Sequence, residues 1–202
     1  MRKILFVLTL SLIALTVTVA QQPEKSKSSQ PEGQSMGMMM PKPGPEIAKL
    51  DYFIGTWMGE ETVNFPGMPP GIKSKSKIVT KRGMGGMFLV SDYAFTWGEG
   101  DMKGDMEAHF LWTYDAQKQS YRIWGFDSWG NATEMSGKWA DDKTFVDEVS
   151  TEYGGQPVKM RDTYTLVSPT TCKLKSEMDM GQGWQTGMEG TYTKQGKTKK
   201  SK

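Results

Sequence analysis

Residues 106–129, MEAHFLWTYDAQKQSYRIWGFDSW, hold two β-strands and the turn between them. Met106, Ala108, Phe110, Trp112 and Tyr114 alternate with Glu107, His109, Leu111 and Thr113. That period of two is the mark of a strand with one face against a core. The polar stretch DAQKQ separates this run from Ser120 to Trp129. A link that short requires antiparallel pairing.

The same grammar extends in both directions. Upstream, strands are expected over Thr56 to Asn64, Lys73 to Arg82 and Met87 to Trp97, broken by FPGMPPG and GEGDMKG. Downstream they are expected over Ala132 to Trp139 and Thr144 to Thr151, then around Val158, Met160, Tyr164 and Leu166. In the ninth run Cys172, Leu174, Ser176, Met178 and Met180 alternate with Lys173, Lys175, Glu177 and Asp179, which predicts one wet face. The tenth, Trp184 to Thr193, places Trp184, Met188 and Tyr192 on one face by simple alternation. One short helix is predicted where Pro45 precedes Ile47, Leu50 and Phe53.

Ten consecutive strands with short links and no crossover helix predict an all-β fold: an antiparallel up-and-down barrel, calycin- or lipocalin-like, that curls shut to protect its edges. A two-sheet sandwich would show the same alternation and is the other architecture left open.

Outside this domain, expected over residues 46–194, the composition changes. The first twenty residues, MRKILFVLTLSLIALTVTVA, read as a signal peptide cleaved after Ala20, which implies a periplasmic or secreted protein without a stable membrane anchor. Residues 21–45 are rich in Gln, Ser, Lys, Pro, Gly and Met, as in a disordered linker. Residues 195–202 complete a basic tail.

The chain of 202 residues carries a formal charge of +2, but Glu46 to Thr193 holds 15 basic and 21 acidic residues. A folded part with that acidic excess argues against nucleic acid as a partner. The single cysteine, Cys172, excludes an intramolecular disulfide and is expected as a small buried side chain.

Chemistry-bearing residues are few. His109 is the only histidine, so nucleophilic catalysis by a Cys–His pair has little to build on. Counts of Cys and His leave no metal site of that type, and MGMMM (Met36, Met38, Met39 and Met40) offers thioethers for Cu(I) but reads more simply as low-complexity linker. No metal and no cofactor is expected. The adjacent acids Glu60 and Glu61, Asp141 and Asp142, and Asp147 and Glu148 read as solvated charge, since neighbours on a strand face opposite ways. Asp92, Asp127 and Asp162 lie on strands with apolar neighbours, and Arg122 and Arg161 are candidate partners for an ion pair inside the barrel.

PGPEIAKLDYFIGTWMGEE, then a Pro-rich loop, GMGGMFLVSDY and LWTYDAQKQSYRIWGFDS together resemble the bacterial domain of unknown function 1579. The carrying residues are Leu50, Gly55 and Trp57, then Gly85, Gly86, Phe88 and Leu89, and the likeness spans roughly Pro45 to Lys194. The resemblance implies a calycin-type barrel and no known activity. GTWMGEETVNFPG is also similar to the first strand of nitrobindin-type haem barrels, but no histidine follows His109, so their haem function does not carry over. Fatty-acid-binding barrels hold a carboxylate with Arg-x-Tyr on the last strand, where this chain has Gly190, Thr191 and Tyr192.

The sequence thus leads to a non-enzymatic exported barrel that binds a small hydrophobic molecule, with Trp57, Phe88, Asp92, Trp112, Trp124, Asp162, Tyr164 and Trp184 as the expected ligand-binding residues. A filled barrel acting through its outer face in the cell envelope is the alternative. A barrel enzyme of isomerase or hydrolase type is the third.

Overall fold

A computed structural model describes residues 42–66, 68–100, 103–153 and 155–196. The expected leader, most of the linker with its methionine cluster, and residues 197–202 of the tail lie outside these.

After one helical turn, α1 (Pro45–Lys49), and a 3-10 turn (Leu50–Phe53), the chain runs through ten strands. They are β1 (Gly55–Val63), β2 (Ile72–Gly83), β3 (Phe88–Trp97), β4 (Gly104–Asp115) and β5 (Ser120–Asp127). The second half is β6 (Ala132–Trp139), β7 (Thr144–Tyr153), β8 (Gln156–Ser168), β9 (Thr171–Asp179) and β10 (Gln185–Lys194). Each strand pairs antiparallel with the next, and β10 pairs with β1 from Lys194 opposite Trp57 to Met188 opposite Val63. The barrel is therefore closed and has no free edge.

Alternation in the sequence maps directly onto the wall. On β9, Cys172, Leu174 and Ser176 are buried while Lys173 and Lys175 are exposed. Inward side chains form two apolar clusters. One gathers Trp57, Val63, Phe95, Leu174 and Tyr192; the other gathers Leu50, Leu89, Trp112, Ile123 and Phe145, and Tyr164 packs against both.

The short helix stoppers one end of the barrel. Leu50 is fully buried in the second cluster, a burial that contributes about 2 kcal/mol. Phe53 stacks on Trp112 at 5.8 Å and meets Tyr164 edge-on at 5.6 Å. Polar ties fix the stopper. Tyr52 Oη lies within hydrogen-bond distance of the Ser168 and Thr171 carbonyls (2.8 and 2.7 Å), and Arg82 donates to the Ile47 and Gly86 carbonyls and to Asp51.

Two glycines permit close approach inside the wall. A Cβ at Gly59 would sit 2.6 Å from the Tyr192 ring, and one at Gly137 would sit 2.5 Å from Phe145 Cζ. Both large rings occupy room those glycines leave.

Candidate functional site

Packing does not fill the barrel. Between its walls lies a cavity of about 280 Å³, bounded by side chains from most of the strands and by Phe53 of the stopper. Aromatic and aliphatic groups dominate its lining: Phe53, Trp57, Phe95, Phe110, Trp112, Ile123, Met135, Met160, Tyr164 and Met188 among others.

Four of the expected binding residues stand on this wall: Trp57, Trp112, Asp162 and Tyr164. Trp57 is anchored by its indole N–H, which donates to the Phe53 carbonyl at 3.0 Å. The other four do not line it, and each departure has a definite cause.

Phe88 and Asp92 have the outward parity of β3, whose inward series is Leu89, Ser91, Tyr93 and Phe95. Asp92 instead meets exposed His109 across the β3–β4 pair, Nδ1 to Oδ1 at 2.8 Å. Trp124 alternates out of the buried series Tyr121, Ile123 and Gly125, and Arg122 lies over its ring at 4.7 Å.

Trp184 precedes a β-bulge. Thr186 pairs with Glu177 and Met188 with Ser176, so two residues advance on β10 for one on β9 and the inward parity changes. Trp184 is left on the outside, beneath the Arg161 guanidinium at 4.2 Å.

The expected internal ion pairs are absent for the same reason. Arg122 reaches Glu134 and Asp115, and Arg161 reaches Glu177 at 2.7 Å, all on the outer surface. Asp127 closes the turn after β5, accepting from the Trp129 and Asn131 backbone N–H groups at 3.0 Å.

Of the adjacent acids read as solvated, two turn inward. Glu61 is 3 % exposed and accepts a 2.8 Å hydrogen bond from Ser74 and another from Ser76. Asp147 is likewise 3 % exposed and lines the cavity. Their neighbours Glu60 and Glu148 take the outer face. The signal was available in parity: Glu61 follows Trp57 and Gly59, and Asp147 follows Phe145, at steps of two.

Asp147 and Asp162 are direct cross-strand partners on β7 and β8, and Ser176 stands opposite Asp162 on β9. Side chains so placed have Cβ atoms about 5 Å apart. Burial, reinforced by Asp162 and Glu148, holds the Asp147 carboxyl well above the usual carboxylate range. Burial also lifts Asp162 to about 6, against a hydrogen bond from Ser176 that favours its charged form. Two neighbouring buried carboxyls cannot both ionise cheaply, so the pair as a whole holds protons more tightly than isolated aspartates do.

Other polar groups punctuate the interior. Thr80 and Ser91 hydroxyls bond to one another at 2.8 Å, and Ser76 Oγ lies 3.1 Å from Tyr93 Oη. Burial raises the Tyr93, Tyr164 and Tyr192 phenols above their ordinary value and pushes Cys172 up to about 12. Trp112 Nε1 and Tyr192 Oη have no hydrogen-bond partner among the described residues. No lysine, arginine or histidine of the described residues lines the cavity.

The family described as protein of unknown function (DUF1579) matches residues 42–194, from the segment before the stopper to the end of β10. The chain belongs to that family. DUF1579 membership thus covers the whole barrel.

Among solved structures, the chain is similar to the S-type phycobiliprotein lyase CPES from Guillardia theta, with 10 % identity and a TM-score of 0.49. That likeness covers 74 % of this chain and 92 % of the lyase. It is also similar to EF1p2_mFAP2b, solved bound to DFHBI, with 14 % identity and a TM-score of 0.40 over 74 % of this chain and 98 % of that one. No curated protein matches the sequence.

Proposed function

We propose that this DUF1579 barrel is a binding protein, exported by the leader read in its sequence, that holds one small and largely apolar molecule in its interior. One observation carries the reading: a void of about 280 Å³ sits where a barrel of this size would otherwise pack its core.

Interior space that side chains leave unfilled forgoes packing, about 24 cal/mol for each Å³ that stays dry. A whole domain commonly keeps only about 5–15 kcal/mol of net stability. A ligand that fills the space recovers contacts the protein's own side chains leave unmade. The lining suits such a molecule, because aromatic rings and thioethers offer large polarisable faces.

Catalysis finds less support. His109 is exposed on the outer wall and bonded to Asp92, while Cys172 lies inside with its thiol held protonated, so the two do not form a nucleophilic pair.

The test combines two measurements on the folded chain. Native mass spectrometry of protein produced with its leader is expected to show a stoichiometric small-molecule adduct. Titration with the neutral probe 2-naphthalenemethanol is expected to quench Trp57 and Trp112 fluorescence and to stabilise the fold by about 2.7 kcal/mol at a hundredfold excess over Kd. A clean apo mass together with no quenching and no stabilisation by the probe would overturn the reading.

A further inference from the structure

Among the described residues the charged side chains lining the cavity have one sign, while Lys194, the base of inward parity at the end of β10, is held by the Tyr52 carbonyl at 2.8 Å and lies over the Trp57 ring. Glu61, Asp147 and Asp162 all point inward, and the basic side chains of the neighbouring strands are spent outside on Glu134, Asp115 and Glu177. Glu61 is already served by the Ser74 and Ser76 hydroxyls. Asp147 is not: it is 97 % buried, lines the cavity, and has no hydrogen-bond partner among the described residues. Asp162 beside it is in hydrogen-bond reach only of Ser176.

A buried carboxyl without a partner is an expensive feature, because it gives up water and gains nothing in return. It becomes favourable once a complementary group arrives. The pair Asp147 and Asp162 presents up to four oxygens from adjacent positions on β7 and β8, an acceptor-rich patch in an otherwise apolar chamber. Tyr164, next to Asp162 on the same face of β8, and Trp112, 6.1 Å away from it, bring ring faces to the same region. Carboxylate oxygens flanked by aromatic faces recognise a cation attached to an apolar body.

Resting on the reading of the cavity as a ligand site, we propose that its ligand is an apolar amine, with the protonated nitrogen seated on Asp147 and Asp162 and the hydrocarbon body among the aromatic rings. The ammonium donates to the carboxyl oxygens that the protein leaves without donors. A carboxylate ligand meets two acids and no base among the residues lining the cavity, so the same chamber rejects it.

Three probes of one shape but different charge test this: 2-naphthylmethylammonium, 2-naphthalenemethanol and 2-naphthoate, each titrated calorimetrically into the wild-type chain near neutral pH. The ammonium is expected to bind at least about tenfold tighter than the alcohol, and the naphthoate more weakly than either. Replacing both acids, Asp147→Asn with Asp162→Asn, is expected to abolish the ammonium's preference over the alcohol. Should that double variant fail to fold, the wild-type comparison of the three probes still decides, and Asp162→Asn alone supplies the partial loss. Equal binding of ammonium and alcohol, or preference for the naphthoate, overturns the amine assignment and leaves the cavity reading standing. Failure of all three probes to bind overturns the amine assignment, and together with a clean apo mass it overturns the cavity reading as well.

Discussion

Ser74 Oγ donates a 2.8 Å hydrogen bond to Glu61 Oε2 across the β1–β2 pair, inside the barrel, where both residues are at most 5 % exposed. Ser76 supplies the second donor. A carboxyl in that position depends on its hydroxyls, because no water replaces them at low cost. Ser74→Ala is therefore expected to destabilise the fold by about 1–3 kcal/mol, and Ser74→Ala with Ser76→Ala by more. Urea unfolding would show it as a lower midpoint at unchanged slope. A midpoint indistinguishable from wild type would mean that Glu61 is not held by these two serines.

The Asp147–Asp162 pair gives stability a definite pH dependence. An unfolded aspartate titrates near 3.9, whereas Asp162 in the folded barrel is lifted to about 6 and Asp147 well above its usual range, both by burial first. A raised folded pKa means that the native state binds the proton more tightly. The stability so gained is complete below about pH 4 and is lost as pH rises through about 6, on the order of 3 kcal/mol for Asp162, with Asp147 extending the loss upward. Glu46, Glu134, Asp141 and Glu177 act in the opposite sense, held low by Lys49, Arg122, the Lys143 backbone N–H and Lys175. Their contribution is lost as the solution is acidified. The urea midpoint is expected to fall between about pH 5 and pH 7, and Asp147→Asn with Asp162→Asn to flatten that fall. A wild-type midpoint that rises over the same interval would refute the assignment.

Cys172 lines the cavity at 5 % exposure, and burial pushes its thiol up to about 12. The nucleophile in thiol chemistry is the thiolate, which is then scarce at ordinary pH. Ellman's reagent at about pH 8 is expected to leave the native protein unmodified and to react fully in urea. Rapid labelling of the native chain would show that the chamber opens readily to solvent.

Trp184 sits outside the wall under Arg161, which also bonds to Glu177. Trp184→Ala is expected to cost about 1 kcal/mol through the lost cation–π contact and to change 2-naphthalenemethanol binding by less than about twofold. Trp112→Ala, which removes a ring from the chamber itself, is expected to cost about 3–5 kcal/mol and to alter probe binding strongly. A loss of binding in Trp184→Ala equal to that in Trp112→Ala would contradict the outward placement.

Strand number, order and closure were legible in the sequence, because alternation is enforced residue by residue and short links leave neighbouring strands nothing to pair with but each other. The match was close: β6 spans the expected Ala132–Trp139, and β3 differs from expectation by one residue. The site was legible only in part. Trp57, Trp112, Asp162 and Tyr164 follow their strands' inward phase, so composition and parity sufficed for them. Trp184 escaped because the bulge between Thr186 and Met188 inserts one unpaired residue and reverses the phase, an event fixed by the cross-strand register with β9 and by Phe65 packed against Gly187. The acid pair escaped for a related reason. Asp147 and Asp162 are fifteen residues apart in sequence, and only the β7–β8 register brings them opposite one another. Local pattern fixes which way a side chain faces; which side chains share a chamber, and whether that chamber is filled, depends on registers and volumes summed around the closed wall.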